Sequence, residues 1–403
     1  MSPSVVAEAD QPSTPEDPAG GPMDGRQQAE AREYNRRSFQ CDLLDRFVDV
    51  VYLTFAACVL ARPLDAWLQQ SGLQSAPLRL VALSLIVTLL HALASLPLAY
   101  YSGHRLEHQY GLSRQTFGRW LGRYCKRHGL TMVFGSLLTL GLYSIVWSTG
   151  PRWWLVAAGA YFVLSIVMGQ LMPVLILPLF YKIEPFSDDA LNERLAGLAQ
   201  GTGLSLQGVY RMKMSDETAK ANAMLAGLGA TRRVILGDTL LDKFSADEIG
   251  IVFAHEVGHH MHRHVPKMIA AGLFYTLLGF GLCDALLRWW ATAGGQPLDY
   301  ATLPVWTQPF LTLMLTLFAM VVEPTQNILS RHFERQADTY ALDSTRQPAA
   351  YRSAFEKLAR LNKADPDPNA WEVFLFHSHP PIAERLRLAD VWSSRSPDRV
   401  AQS

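Results

Sequence analysis

The chain of 403 residues is short of charge and of cysteine. Only 18% of it is Asp, Glu, Lys or Arg against 49% hydrophobic residues, which excludes an ordinary soluble composition and points to membrane spans. The 36 basic and 36 acidic side chains cancel, so no global field argues for a nucleic acid or an acidic partner. The four cysteines, Cys41, Cys58, Cys125 and Cys283, are scattered with no C-x-x-C pair. That spacing excludes a disulfide framework and a cysteine-built zinc site, leaving them as packing residues. Residues 1–35 lack both the positive start and the apolar core of a signal peptide. Rich in Pro, Ala, Gly, Gln and acidic residues, they are expected to form a disordered cytoplasmic tail.

Charge is scarce because apolar runs are long. Stretches that reach the roughly 20 residues needed to cross a bilayer as helix fall at about 46–66, 78–101, 130–149, 153–177, 266–288 and 304–328. Arg105, Arg114, Arg119, Arg123, Lys126 and Arg127 follow the second span, whereas Arg152 and Arg288 stand alone in the loops at the other ends. The positive-inside rule then puts both termini in the cytoplasm, with Trp147, Trp153, Trp154, Trp289, Trp290 and Trp306 as an aromatic belt on the opposite side.

The organising motif is His255-Glu256-Val257-Gly258-His259. Residues four apart stack on one helical face, so His255 and His259 can point at one metal ion while Glu256 faces the same open side as a base. Ser245 and Glu248 read as a capping box that starts this helix, with Phe244 and Ile249 as a hydrophobic staple. Gly258 leaves room for a close approach. A catalytic zinc takes three protein ligands, and the third candidate is Glu334 on a downstream helical run. Asp338, four residues further on, can orient one of the histidines.

Three ordered motifs, H-E-V-G-H, S-R-x-F-E-x-Q-A-D at 330–338 and His377-Ser378-His379-Pro380-Pro381-Ile382-Ala383-Glu384-Arg385, resemble the integral-membrane zinc metalloproteases of the CAAX prenyl protease 1 type. Pro178-Leu179-Phe180-Tyr181 and Asn222-Ala223 agree with the same family. The resemblance implies one Zn2+ per chain, and cleavage of proteins near a prenylated C-terminus. It also implies that Asn222 and Ala223 lie on the sheet edge where an extended substrate pairs, that His379 stabilises the oxyanion, and that Arg385 supports the site. An ion pair with Asp338 competes as the reason for Arg385. Eukaryotic members have seven spans, of which this chain is expected to lack the first.

The expected architecture is a mainly α, polytopic helical membrane bundle carrying a small α+β metallopeptidase domain. Residues 1–35 form the tail, 36–177 a membrane domain of four spans, and 178–403 the peptidase domain with the last two spans. Within 178–265, a helix capped by Ser187 packs through Leu191, Leu195 and Leu198, and strands are expected at 210–214, 221–226 and 233–236. Glu323, Asn327, Glu334 and Asp338 share one helical face. Intramembrane carboxylates usually face a water-filled cavity, so this stripe, with His91 and Asp284, is expected to line an aqueous chamber; the alternative places Glu323 and Asp284 near the bilayer edge. His260, His262 and His264 are read as an interfacial patch outside the site. His104-x-x-Glu107-His108 matches an inverted zinc motif but has no further Glu-bearing helix to complete it.

Ala-, Leu- and Arg-rich composition suggests a bacterial inner-membrane protein with a cytoplasmic active site. Its partners would be the bilayer and a peptide or protein substrate, prenylated or membrane-inserted, with no nucleic acid. A quality-control protease of the HtpX type is the alternative within the same chemistry. A six-span transporter or scaffold with structural zinc is the alternative of another class, and it gives Glu256 no task.

Overall fold

The computed structural model describes residues 21–204, 207–227, 232–293 and 298–395. The first helix, α1 (Gly25–Phe55), starts well inside the expected tail. Asp24 and Gln27 close a capping box at its N-terminus. Ala31 and Tyr34 are then buried, with the Tyr34 hydroxyl donating to Glu107 at 2.5 Å. The tail expectation is therefore corrected for 25–35, whose packed face and cap outweigh a polar composition; residues 1–20 lie outside the described residues.

Through a π-helical turn at Ala56–Leu60, α1 continues into α2 (Ala61–Gln70), and α3 (Ala76–Tyr100) follows. Next come α4 (Phe117–Thr149) and α5 (Trp153–Leu171), which fold back on each other at Gly150, a glycine at φ +56°. The Tyr161 hydroxyl reaches the Leu138 carbonyl across this hairpin. Among the described residues, four helical stretches are long and apolar enough to cross a membrane: Ala76–Gln109, Phe117–Leu179, His264–Ala291 and Val305–Thr345. The second of these contains the hairpin, so five of the six expected spans fall on the four. The remaining one, 46–66, lies on the α1–α2 rod, whose charged groups are matched inside the bundle. Asp49 pairs with His91 at 2.8 Å, Asp65 with Arg79 at 2.8 Å, and Arg62 sits 4.1 Å from the Trp306 ring centre.

The polar stripe is mostly consumed by such pairing. Glu323 accepts two hydrogen bonds from Arg46 at 2.5 and 2.8 Å, and the Asn327 amide donates to the Leu375 carbonyl at 2.8 Å. Asp284 is fully buried and accepts from Trp153 and Tyr300, each at 2.7 Å, and from Arg288. Its carboxylate is thus satisfied by neighbouring donors, as a buried charge must be, and not by water of a chamber. His91 does line a cavity, of about 460 Å³, shared with Asp45, Trp120 and Arg127.

The soluble part is a four-stranded sheet packed against helices. Its strands, β1 (Lys182–Pro185), β2 (Val209–Lys213), β3 (Ala223–Ala226) and β4 (Arg233–Gly237), lie in the order β1-β2-β4-β3. β2 and β4 are parallel and the outer pairs antiparallel, which leaves β3 as an edge. Helix α6 (Asp189–Ala199) is capped by Asp188, which accepts from the Leu191 N–H at 3.0 Å. That corrects the expectation of Ser187 by one position, the carboxylate being the stronger acceptor for a helix N-terminus.

The longer helices after the sheet are α7 (Ala246–Met261), α8 (His264–Ala293), α9 (Gln308–Thr345), α10 (Pro348–Leu361) and α12 (Ile382–Arg395), with the short α11 (Ala370–Phe376) between the last two. One apolar core joins them. Leu195, Val234, Leu236, Ile251, Phe253, Val257, Leu342, Tyr351 and Phe355 are buried together, each worth about 1.5–3 kcal/mol for a Val, Leu, Ile or Phe side chain. This core holds α7 against the end of α9.

Candidate active site

Helix α7 begins as expected. Ser245 accepts from the Glu248 N–H while Glu248 Oε2 accepts from the Ser245 N–H at 2.7 Å. Ser353 and Lys357 also donate to the Glu248 carboxylate, at 2.5 and 2.7 Å. Burial would raise this acid, but Lys357, Ser353 and the Ser245 N–H outweigh it and hold it below its ordinary 4.5. Ile249, Phe253 and Val257 bury the helix's inner face. What approaches Gly258 is α9: a Cβ there would stand 2.9 Å from the Ala337 Cα.

This crossing brings three donors together. His255 Nε2 lies 3.1 Å from His259 Nε2 and 3.2 Å from Glu334 Oε2, and His259 Nε2 lies 3.4 Å from Glu334 Oε1. Two atoms bound tetrahedrally at 2.0–2.1 Å stand roughly 3.3 Å apart, so the set fits a small tetrahedral cation. Among the described residues it is the one His, Cys, Asp and Glu cluster able to hold a metal ion. Glu334 Oε2 is buried with only imidazole nitrogens near it and no well-directed hydrogen bond, a setting that a cation between these groups would satisfy.

Each imidazole is held from behind. His255 Nδ1 meets Asp338 Oδ1 at 2.9 Å, so its proton points at the carboxylate and Nε2 keeps a free lone pair. Arg385 grips the same carboxylate with two bonds, at 2.9 and 2.5 Å, over the face of Phe355 at 3.8 Å. Burial alone would lower His255, but before a cation binds the hydrogen bonds of Asp338 and Glu334 push it up to about 9, so a metal ion must displace the Nε2 proton to use that lone pair. For Arg385, burial is likewise outweighed by Asp338, so the guanidinium stays charged. The ion pair that competed as its role is therefore real, and it serves the His255 side of the cluster.

His259 has a partner that sequence reasoning set aside. His264 Nδ1 lies 2.9 Å from His259 Nδ1, and His264 Nε2 lies 2.8 Å from Gln336 Oε1. With Nε2 of His264 donating to the glutamine, its Nδ1 accepts from His259 and leaves His259 Nε2 free. His264 is 1% exposed, not an interfacial patch. It reaches back because Arg263 adopts φ +53° between α7 and α8, a turn no local pattern announces. Arg331 was also missed as a positioning residue. Its guanidinium donates to the Val373 and His377 carbonyls at 2.7 and 2.5 Å, fixing the loop that carries His379.

A cavity of about 470 Å³ opens on the cluster, lined among others by His255, Glu256, Glu334, His379, Asn222 and Ala223. His379 Nδ1 is 2.8 Å from Glu334 Oε2, with the ring 63% exposed. His377 instead turns to Glu372 at 3.2 Å. The inverted motif does not assemble: Glu107 bonds Tyr34 and Lys220, and His108 bonds the His104 carbonyl.

A helical membrane bundle joined to an H-E-x-x-H helix crossed by a Glu-bearing helix is the architecture of a membrane metalloprotease, an integral multi-pass protein acting on peptides or proteins. The chain belongs to peptidase family M48, whose model matches residues 185–393, and the CAAX prenyl protease N-terminal model, described by five membrane helices, matches 8–182. An uncharacterized metalloprotease of Bacillus subtilis, YhfN, is 28% identical over 78% of this chain and 74% of its own. The Arabidopsis thaliana CAAX prenyl protease 1 homolog is 30% identical over 74% and 70%. The crystal structure of S. mikatae Ste24p superposes with a TM-score of 0.78 at 25% identity, over 91% of this chain and 89% of that one.

Proposed function

We propose that the chain is a zinc metalloendopeptidase that cuts lipid-modified peptides near their C-terminus, with His255, His259 and Glu334 as the metal ligands. The reading rests above all on one observation: Glu256, the ligands His255 and Glu334, and the Asn222-Ala223 edge line one cavity. Zinc, when bound there, supplies a Lewis acid that acidifies water and polarises a carbonyl. Glu256 takes a proton from the attacking water on its carboxylate and returns it to the leaving amine. His379 donates to the oxyanion from the cavity's exposed side. Asp338, backed by Arg385, keeps His255 in one tautomer, and the edge of β3 holds the substrate extended.

The lipidated C-terminus is carried over from relatives named CAAX prenyl proteases. Orientation follows from the basic loop. Arg114, Arg123 and Lys126 donate to the Ser215, Phe180 and Leu179 carbonyls at 3.1, 2.9 and 2.9 Å, which keeps the sheet unit beside the basic loop and supports our reading of a cytoplasmic active site in a bacterial inner membrane.

Purified protein would be given a farnesylated CAAX peptide and its unprenylated twin, with Glu256→Ala as control. Cleavage of the lipidated peptide alone is expected. Equal cleavage of both would favour a general quality-control protease instead, and an active Glu256→Ala variant would overturn the mechanism.

A further inference from the structure

The usable edge of the sheet is shorter than β3 and its approach would suggest. Ala223 pairs with Leu236 and Met224 with Ile235 in the antiparallel ladder, and the Gly237 N–H donates to the Asn222 carbonyl at 2.9 Å. In such a ladder a residue turns its N–H and C=O to one side and the next residue to the other. Asn222, Met224 and Ala226 therefore face β4, while Ala221, Ala223 and Leu225 face outward. The outward positions are not all free. The Ala219 N–H donates to the Leu112 carbonyl at 3.0 Å. The Ala221 N–H donates to Asn362 Oδ1 at 2.9 Å, and Asn362 Nδ2 donates back to the Ala221 carbonyl at 3.3 Å. A side-chain amide thus fills Ala221 as a neighbouring strand's peptide would. Ala223 and Leu225 have no such partner among the described residues.

Asn362 is built to stay in place. It ends α10, where the Asn362, Lys363 and Ala364 N–H groups donate to the Leu358, Arg360 and Ala359 carbonyls at 3.0, 3.2 and 2.8 Å. Lys363 takes the left-handed conformation at φ +47°. From α1, Asn35 donates to the Lys363 carbonyl at 2.6 Å and Glu30 pairs with its ammonium at 2.7 Å. Asn362 and Ala221 line the same cavity as His255 and Glu256.

We propose that Asn362 is a positioning residue that closes the substrate edge at Ala221, so that an extended peptide pairs only at Ala223 and Leu225 and is turned off the sheet beyond them. In antiparallel pairing, the more stable arrangement per residue, the peptide runs from Leu225 towards Ala221, and its C-terminal side is the one curtailed. Short C-terminal extensions are accepted and long ones disfavoured. The inference rests on the protease reading and adds a length limit to it.

The test compares peptides identical up to the cleaved bond but carrying short or long C-terminal extensions. Wild type is expected to favour the short one in kcat/KM by about tenfold, and Asn362→Ala to narrow the preference to about twofold by freeing a pairing position. Asn362→Asp keeps the acceptor for the Ala221 N–H and keeps the preference. Should the alanine variant fail to fold, Asn362→Ser, too short to reach both groups, gives the same narrowing. A wild type indifferent to length, or a variant slowed equally on both peptides, overturns the inference. If wild type cuts neither peptide, the protease reading is what fails, and amide exchange decides the rest. Exchange at Ala221 is expected to speed up about tenfold in Asn362→Ala, and an unchanged rate overturns the closed edge.

Discussion

Gly258 lies against Ala337 so closely that a methyl group on the glycine would meet the alanine's Cα at 2.9 Å and its carbonyl oxygen at 3.1 Å. The contact is next to His259 and three residues from Glu334, so it sets the distance between the two ligand-bearing helices. Gly258→Ala is expected to push them apart, at a cost of about 1–3 kcal/mol, and to lower metal content. Metal analysis beside thermal unfolding checks this; full metal content in a stable variant would show that the crossing tolerates the methyl.

Arg385 neutralises a carboxylate that is 1% exposed. Removing it strands the Asp338 charge, so Arg385→Met is expected to lose about 3–5 kcal/mol. Arg385→Lys should recover only part, since one ammonium cannot match two parallel bonds. In unfolding measurements the double variant Asp338→Asn, Arg385→Met should lose less than the two single losses added together. Strict additivity would mean that the pair is not coupled.

His264→Ala removes the acceptor behind His259. Metal affinity is expected to fall about 10–100-fold, read as faster loss to a chelator. His260→Ala serves as the control, because its ring turns to Arg232, 2.7 Å away. Equal chelator resistance in the two variants would contradict a role for His264.

Glu248→Gln weakens the charged bonds to Lys357 and Ser353, and about 1–3 kcal/mol of stability at neutral pH should go with them. The sign with pH follows from the lowered carboxyl. The stabilisation is present above the ordinary value of 4.5 and disappears as pH falls through the lower folded value. Melting curves of wild type and variant should therefore draw together as the pH is lowered beyond 4.5; a gap that does not narrow on acidification would place the effect in packing.

Local patterns made much of the site readable. His255 and His259 follow from helical stacking, Ser245 and Glu248 from reciprocal capping, and Glu334 with Asp338 from the same four-residue period. The strands expected at 210–214, 221–226 and 233–236 form at 209–213, 223–226 and 233–237, each a short run between turn residues. What escaped is tertiary. His264 returns to His259 only through the left-handed Arg263, and Asn362 meets Ala221 across 141 positions of sequence. Asp284 and Glu323 looked like chamber walls because a sequence displays a carboxylate but not the Trp153, Tyr300 or Arg46 that satisfies it. The start of α1 was hidden by a composition that resembles a linker, while its anchors, Tyr34 and Asn35, bond to residues far along the chain.

Helix α9 runs unbroken from Gln308 to Thr345 with Pro324 inside it. Its 38 residues make a rod of about 57 Å at 1.5 Å per residue, apolar at one end and carrying Glu334 and Asp338 at the other. The rod is a lever. With Glu334 about 15 Å beyond Pro324 along the axis, a tilt of about 5° displaces the carboxylate by roughly 1.3 Å, more than half a metal–ligand bond length. Packing against neighbouring helices, which sets the tilt of a membrane helix, thereby also sets where Glu334 stands relative to His255 and His259.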